Sequence, residues 1–231
     1  PGLLAFTLFV LLAVVYALMA LWNDAPILAF LAIVGAFLAP LLTADRNGNH
    51  LILFSYYAVV NAGVLAIAWG KAWPGLNLVS FLFSLLAGLG WAYTAYQPAY
   101  FASTEFFLTL FFGFYLTISL WNARRMVQGA DTGKRRALGA GEVFLLFANP
   151  LATFVLQSLL VADRSDWLAY SAFGFAALYM LLGLLSQQRV ADLFTQSCFF
   201  FAGFFLLIGI PLRFDPQLTA AFWAVQGVGQ L

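Results

Sequence analysis

Four polar residues fall on one stripe of the apolar run 140–161. They are Glu142, Asn149, Thr153 and Gln157, spaced 7, 4 and 4 apart, and that spacing returns to the same face of an α-helix. Pro150, next to Asn149, has no backbone N–H and releases the carbonyl of Leu146, a local break that bends helices. A polar stripe with a break at mid-run is what a substrate path needs. The competing role is hydrogen-bonded packing between helices. Packing is favoured, because neither Asn149 nor Gln157 ionises. Asn61, one turn after Tyr57, offers the same choice between an interhelical hydrogen bond and the wall of a polar cavity.

The carboxylates read mainly as helix-end groups. Glu105 and Glu142 fall in the first turns of their runs, where a negative charge complements the helix dipole. They belong to opposite ends of the helical array, which argues against one acid–base pair. His50, in Asn47-Gly-Asn-His, opens the third run. It is a hydrogen-bonded turn residue first and a proton sensor second. Asp163 and Asp166 form an Asp-Arg-Ser-Asp loop. Paired carboxylates hold a divalent ion beside a phosphate substrate or act in glycosyl transfer. With Arg164 between them and Asp166 at a helix start, a solvated capped loop is the stronger reading. One histidine and one cysteine, Cys198, exclude a histidine-cluster metal centre and an intrachain disulfide. No metal, cofactor or catalytic set is expected.

Membrane helices must position these groups. Of 231 residues, 64% are hydrophobic and 8% charged, against about 45–50% and about 25% in soluble domains. Twenty-six Phe, seven Trp and nine Tyr cannot be hidden in a soluble core of this size. A soluble globular protein, a disordered chain and a nucleic-acid binder are excluded. Apolar runs at 2–22, 26–43, 50–70, 75–96, 103–122, 140–161, 166–186, 194–213 and 216–231 predict an all-α polytopic bundle of eight or nine transmembrane helices, each of about 20 residues. Pro26, Pro74 and Pro216 sit at first-turn positions, where a missing N–H costs nothing. Asp24, Ser103 and Asp215 are the expected caps. The face of the fourth run carrying Asn77, Ser84, Gly88 and Ala95, with Ser80 adjacent, suits close helix approach.

Orientation follows from the basic residues. With the Arg124–Gly139 loop cytoplasmic, Lys71, Arg124, Arg125, Lys134, Arg135, Arg136 and Arg189 lie inside, and Arg46, Arg164 and Arg213 outside, as the positive-inside rule requires. The basic loop would also attract anionic headgroups at roughly 1 kcal/mol per residue. It has no phosphate-cradling glycine motif. The run 216–231 amounts to about 24 Å of helix, short of a ~30 Å core. Together with the start at Pro1, this leads us to expect a single transmembrane domain, 1–231, cut from a longer polytopic chain.

Ala39-Pro-Leu-Leu-Thr, Gly48-Asn-His50, Leu53-Phe-Ser-Tyr-Tyr57 and Asn61-Ala-Gly63 resemble a large bacterial family of predicted membrane proteins of unknown function, DUF2339. Ala68-Trp69, Trp73, Leu76-Asn77, Tyr96-Gln-Pro98, Phe101-Ala-Ser-Thr-Glu105 and Leu218-Thr-Ala-Ala-Phe-Trp223-Ala-Val-Gln226-Gly227 extend the likeness. Gln226 stands where the family pattern often has Glu, which argues against a proton-linked role there. The resemblance implies the inner membrane of a bacterium and a longer parent chain, without a reaction. The expected partners are membrane lipids, the remaining helices of that parent and a second copy of the chain, with no nucleic acid. Three roles follow: a non-catalytic structural or assembly protein, a transporter or channel with a path along the third and sixth helices, or a membrane-embedded transferase on lipid-linked substrate. The first is preferred.

Overall fold

The computed structural model describes residues 2–43, 49–71, 73–131, 139–162, 165–187, 190, 192–214 and 219. Among these, the elements are helices α1 (Gly2–Trp22), α2 (Pro26–Thr43), α3 (His50–Gly70), α4 (Pro74–Ala95), α5 (Phe101–Asp131), α6 (Ala140–Leu160), α7 (Ser165–Ser186) and α8 (Asp192–Arg213), with a 3-10 turn at Pro98–Tyr100. No strand occurs among the described residues. Six helical segments, coinciding with α3 to α8, are long and apolar enough to cross a membrane. Large apolar side chains stand exposed on all of them, including Val59, Leu86, Phe106, Val155, Leu184 and Phe200, which is the surface that contacts lipid.

The helix starts match those expected from Pro26 and Pro74, but the fifth helix differs. It begins at Phe101 and continues to Asp131. Arg124 and Arg125 are therefore helical, not part of a loop. At 1.5 Å per residue, α5 is about 46 Å long against a ~30 Å hydrocarbon core. Hydropathy ends at the bilayer surface, whereas helical hydrogen bonding does not. Two expected caps are also corrected. Ser103 lies inside α5, donating to the Tyr100 carbonyl at 2.9 Å. Asp24 has a left-handed backbone, φ 52°, and its carboxylate pairs with Lys71 at 2.8 Å. Asp215, Pro216 and the ninth run lie outside the described residues, apart from Thr219.

The chain divides into two compact units within α6, after Asn149. The first comprises residues 1–122 and 139–149. Phe37 of α2 stacks on Tyr57 of α3 and Phe83 of α4, both at 5.5 Å between centroids. The bond partners place α3 and α5 side by side in the same direction: His50 meets Ser103 at one end, and Trp69 stacks on Trp121 at the other. Pro40 interrupts α2 and leaves the carbonyl four residues back, that of Ala36, without its helical donor. The hydroxyl of Tyr56 fills this gap at 2.7 Å, and Tyr57 donates to the next carbonyl, Phe37, at 3.2 Å. Tyr56→Phe is expected to lower stability by about 1 kcal/mol. In a Pro40→Ala background, which restores the backbone donor, most of that cost should vanish. A double-mutant cycle read by detergent unfolding checks this, and additive losses would refute the pairing.

The second unit comprises residues 123–138 and 150–231. Its core is aromatic. Phe205 of α8 is fully buried and packs on Phe154 and Phe175, each at 5.0 Å, while Tyr179 lies against Phe201 at 5.3 Å. Helices α7 and α8 pack along each other through glycine. A Cβ at Gly183 would meet the Phe199 ring at 3.0 Å, and one at Gly209 would meet Phe173 at 3.0 Å and the Ala172 Cβ at 3.2 Å. At Gly88, by contrast, a Cβ would meet nothing within 4 Å. The close approach of helices anticipated at Gly88 of α4 occurs instead at these two glycines.

Candidate functional site

The most connected buried polar group is Asn61 on α3, 1% exposed. Its Nδ2 donates to the Tyr57 carbonyl at 2.9 Å and to Ser84 Oγ at 2.8 Å. Its Oδ1 accepts from the Tyr115 hydroxyl and lies 3.2 Å from Ser84 Oγ. Ser84 and Tyr115 are themselves 3.1 Å apart. Three helices, α3, α4 and α5, thus meet in a closed triangle of an amide and two hydroxyls. One amide proton goes to the Tyr57 carbonyl and the other to Ser84 Oγ, while the phenol and serine protons have acceptors within the triangle. An amide so engaged has no donor left for a passing solute, and in an apolar interior each such bond fixes the rotation of one helix against another.

The α6 stripe is buried: Glu142, Asn149, Thr153 and Gln157 are all below one-tenth exposed. Three of its members bond to different neighbours. Asn149 donates to the Phe112 carbonyl of α5 at 3.2 Å. Gln157, beyond the unit boundary, donates to Ser171 of α7 at 3.2 Å, and Ser171 donates to the Trp167 carbonyl at 2.9 Å. Glu142 Oε2 accepts the Gly139 N–H at 2.9 Å. This is the reach-back of a third-position carboxylate onto the residue that starts the helix.

His50 stands half-buried against Tyr100, 4.2 Å away, and Trp91, 5.5 Å away. Its Nε2 is 2.9 Å from Ser103 Oγ. Because Ser103 spends its own proton on Tyr100, the imidazole is the donor. The bond ties the first residue of α3 to the first turn of α5. Glu105 is half-buried in the second turn of α5, since that helix begins two residues before the expected 103. Asp166 is exposed, 3.9 Å from Arg213. Asp163 and Gln226 lie outside the described residues. No group of three or more potential metal ligands occurs among the described residues.

The profile of the DUF2339 family, described as predicted membrane protein, matches residues 1–231. The chain belongs to the DUF2339 family. A search of curated proteins found no match to it, and a search of solved structures found none. In this DUF2339 chain, two of the segments that carried the resemblance bond to each other, His50 to Ser103, and the tyrosines of a third, Tyr56 and Tyr57, reach the carbonyls of Ala36 and Phe37 just before Ala39-Pro40. Residues that sequence reasoning passed over as packing, or did not single out, are central here. In the sequence Ser84 stands out only as a member of a small-residue face, and nothing singles out Tyr115. The available signal was a hydroxyl on each of two successive runs that follow the run carrying Asn61. It becomes specific only once helix register is known.

Proposed function

We propose that this chain is a non-catalytic, structural part of a multi-pass protein of the bacterial inner membrane. One observation carries the reading: three buried amides, those of Asn61, Asn149 and Gln157, each bond to a neighbouring helix. Their polar capacity goes into holding helices. We further propose that α1, α2 and the segment after residue 216 span the bilayer as well, making eight or nine spans of one transmembrane domain within a longer chain. The connection between α5 and α6 then lies in the cytoplasm. Lipid is the principal partner, alongside further helices of the parent chain or a second copy.

The test is Asn149→Ala in the whole protein, reconstituted into vesicles. The expected result is a loss of thermal stability with no change in permeability to ions or small solutes. Loss of a measurable solute flux in a variant that remains folded would overturn the structural role in favour of a transport path along α3 and α6. The transferase alternative draws no support from Asp166, whose carboxylate is exposed and faces Arg213.

A further inference from the structure

Beyond the Asn61 triangle, the first unit buries polar side chains whose hydrogen-bonding capacity is unspent. Asn77 of α4 is 3% exposed, and Ser119 and Asn122 of α5 are 8% and 7% exposed. Ser119 Oγ has no hydrogen-bond partner, and neither amide is bonded to any described residue. Their placement is not scattered. α4 and α5 run antiparallel, and Ser84 lies 3.1 Å from Tyr115. Four residues back along α4 and four forward along α5 therefore set Ser80 level with Ser119, and three more set Asn77 level with Asn122. Within each helix these spacings of 4 and 3 return to one face. The start of α6 closes in at the same end, where a Cβ at Gly141 would be 3.6 Å from the Leu78 side chain and 3.9 Å from the Pro74 carbonyl.

Buried amides and hydroxyls in proteins are paired with protein or with ordered water. Hydrocarbon supplies neither donor nor acceptor to Ser80 and Ser119, one turn further in than Asn77 and Asn122. Asn77 and Asn122 each offer donors and an acceptor, and Ser119 one of each, a mixed set that water matches on both counts. Ser80 already donates to the Leu76 carbonyl at 2.8 Å, leaving its oxygen to accept. We infer that α4 and α5 enclose a blind, water-filled inlet, open at the end where Asn77 and Asn122 stand and stopped at the Asn61–Ser84–Tyr115 triangle. Water bridges the facing Asn and Ser pairs across two turns. The inlet does not traverse the membrane, because the triangle above it has no unspent proton.

Cysteine accessibility in the full chain tests this without reference to any transport or scaffold role. Cys198 is the lone cysteine and is buried, so Cys198→Ala provides the background. In vesicles, Ser119→Cys and Ser80→Cys should react with a small charged methanethiosulfonate at least about ten-fold faster than lipid-facing Val59→Cys, since a thiolate forms only where water reaches it. Ser84→Cys should stay protected. Rates for Ser119→Cys and Ser80→Cys no faster than that of Val59→Cys would overturn the inlet, as would labelling of Ser84→Cys at the Ser119→Cys rate. Should a cysteine variant fail to fold, Ser119→Ala decides by melting temperature. In a dry site, removing an orphan hydroxyl raises it and refutes the proposal, whereas in a hydrated one it is unchanged or lowered.

Discussion

Asn61→Leu is expected to destabilise the folded protein by about 2–3 kcal/mol, the largest loss for any single polar substitution in the first unit. One interhelical hydrogen bond inside a membrane averages only ~0.6 kcal/mol and reaches ~1.7 kcal/mol. Asn61 exceeds this because its amide bonds both Ser84 and Tyr115 as well as the Tyr57 carbonyl. Its removal also strands two buried hydroxyls that retain only each other, 3.1 Å apart. The orphaned groups, more than the lost bonds, set the size of the effect. The combined variant Asn61→Leu, Ser84→Ala, Tyr115→Phe should therefore be more stable than Asn61→Leu alone, since taking out every partner leaves nothing unsatisfied. Unfolding in mixed micelles measures both. A single variant within about 0.5 kcal/mol of the parent would mean that the triangle holds nothing together.

Gly209→Leu is expected to cost about 3 kcal/mol or more, the upper range for overpacking a tight core. A Cβ there already comes within 3.2 Å of the Ala172 Cβ, which is fixed to the α7 backbone. Relief requires α7 and α8 to separate, with loss of the Phe205 contact to Phe175. At Gly183 the obstruction is the ring of Phe199, which can turn aside, so Gly183→Leu should cost less. Gly88→Ala, with nothing within 4 Å, is expected to be neutral or to gain up to about 1 kcal/mol from helix propensity. Thermal unfolding of the three variants checks the order. A Gly209→Leu protein as stable as the Gly88→Ala protein would refute the close packing of α7 on α8.

The class of this protein was legible because hydropathy is a local sum. Runs of apolar residues punctuated by Pro26 and Pro74 mark helix starts to within a residue, and a composition of 64% hydrophobic residues leaves only the membrane as solvent. The family was legible too, in segments such as Leu53-Phe-Ser-Tyr-Tyr57. The overhang of α5 to Asp131 was not, since a helix leaving the bilayer loses its apolar signature while keeping its hydrogen bonds.

The sequence by itself thus determined an all-helical membrane chain, its near-total lack of charge at depth, and which few amides had to find partners there. Only the tertiary structure decided who those partners are. Asn61 found Ser84 and Tyr115, 23 and 54 residues away, Ala36 found Tyr56, and Gly209 rather than Gly88 became the tight contact. Pairing across helices depends on their mutual rotation and register. These are set by many weak side-chain contacts at once, and no spacing within a single run records them.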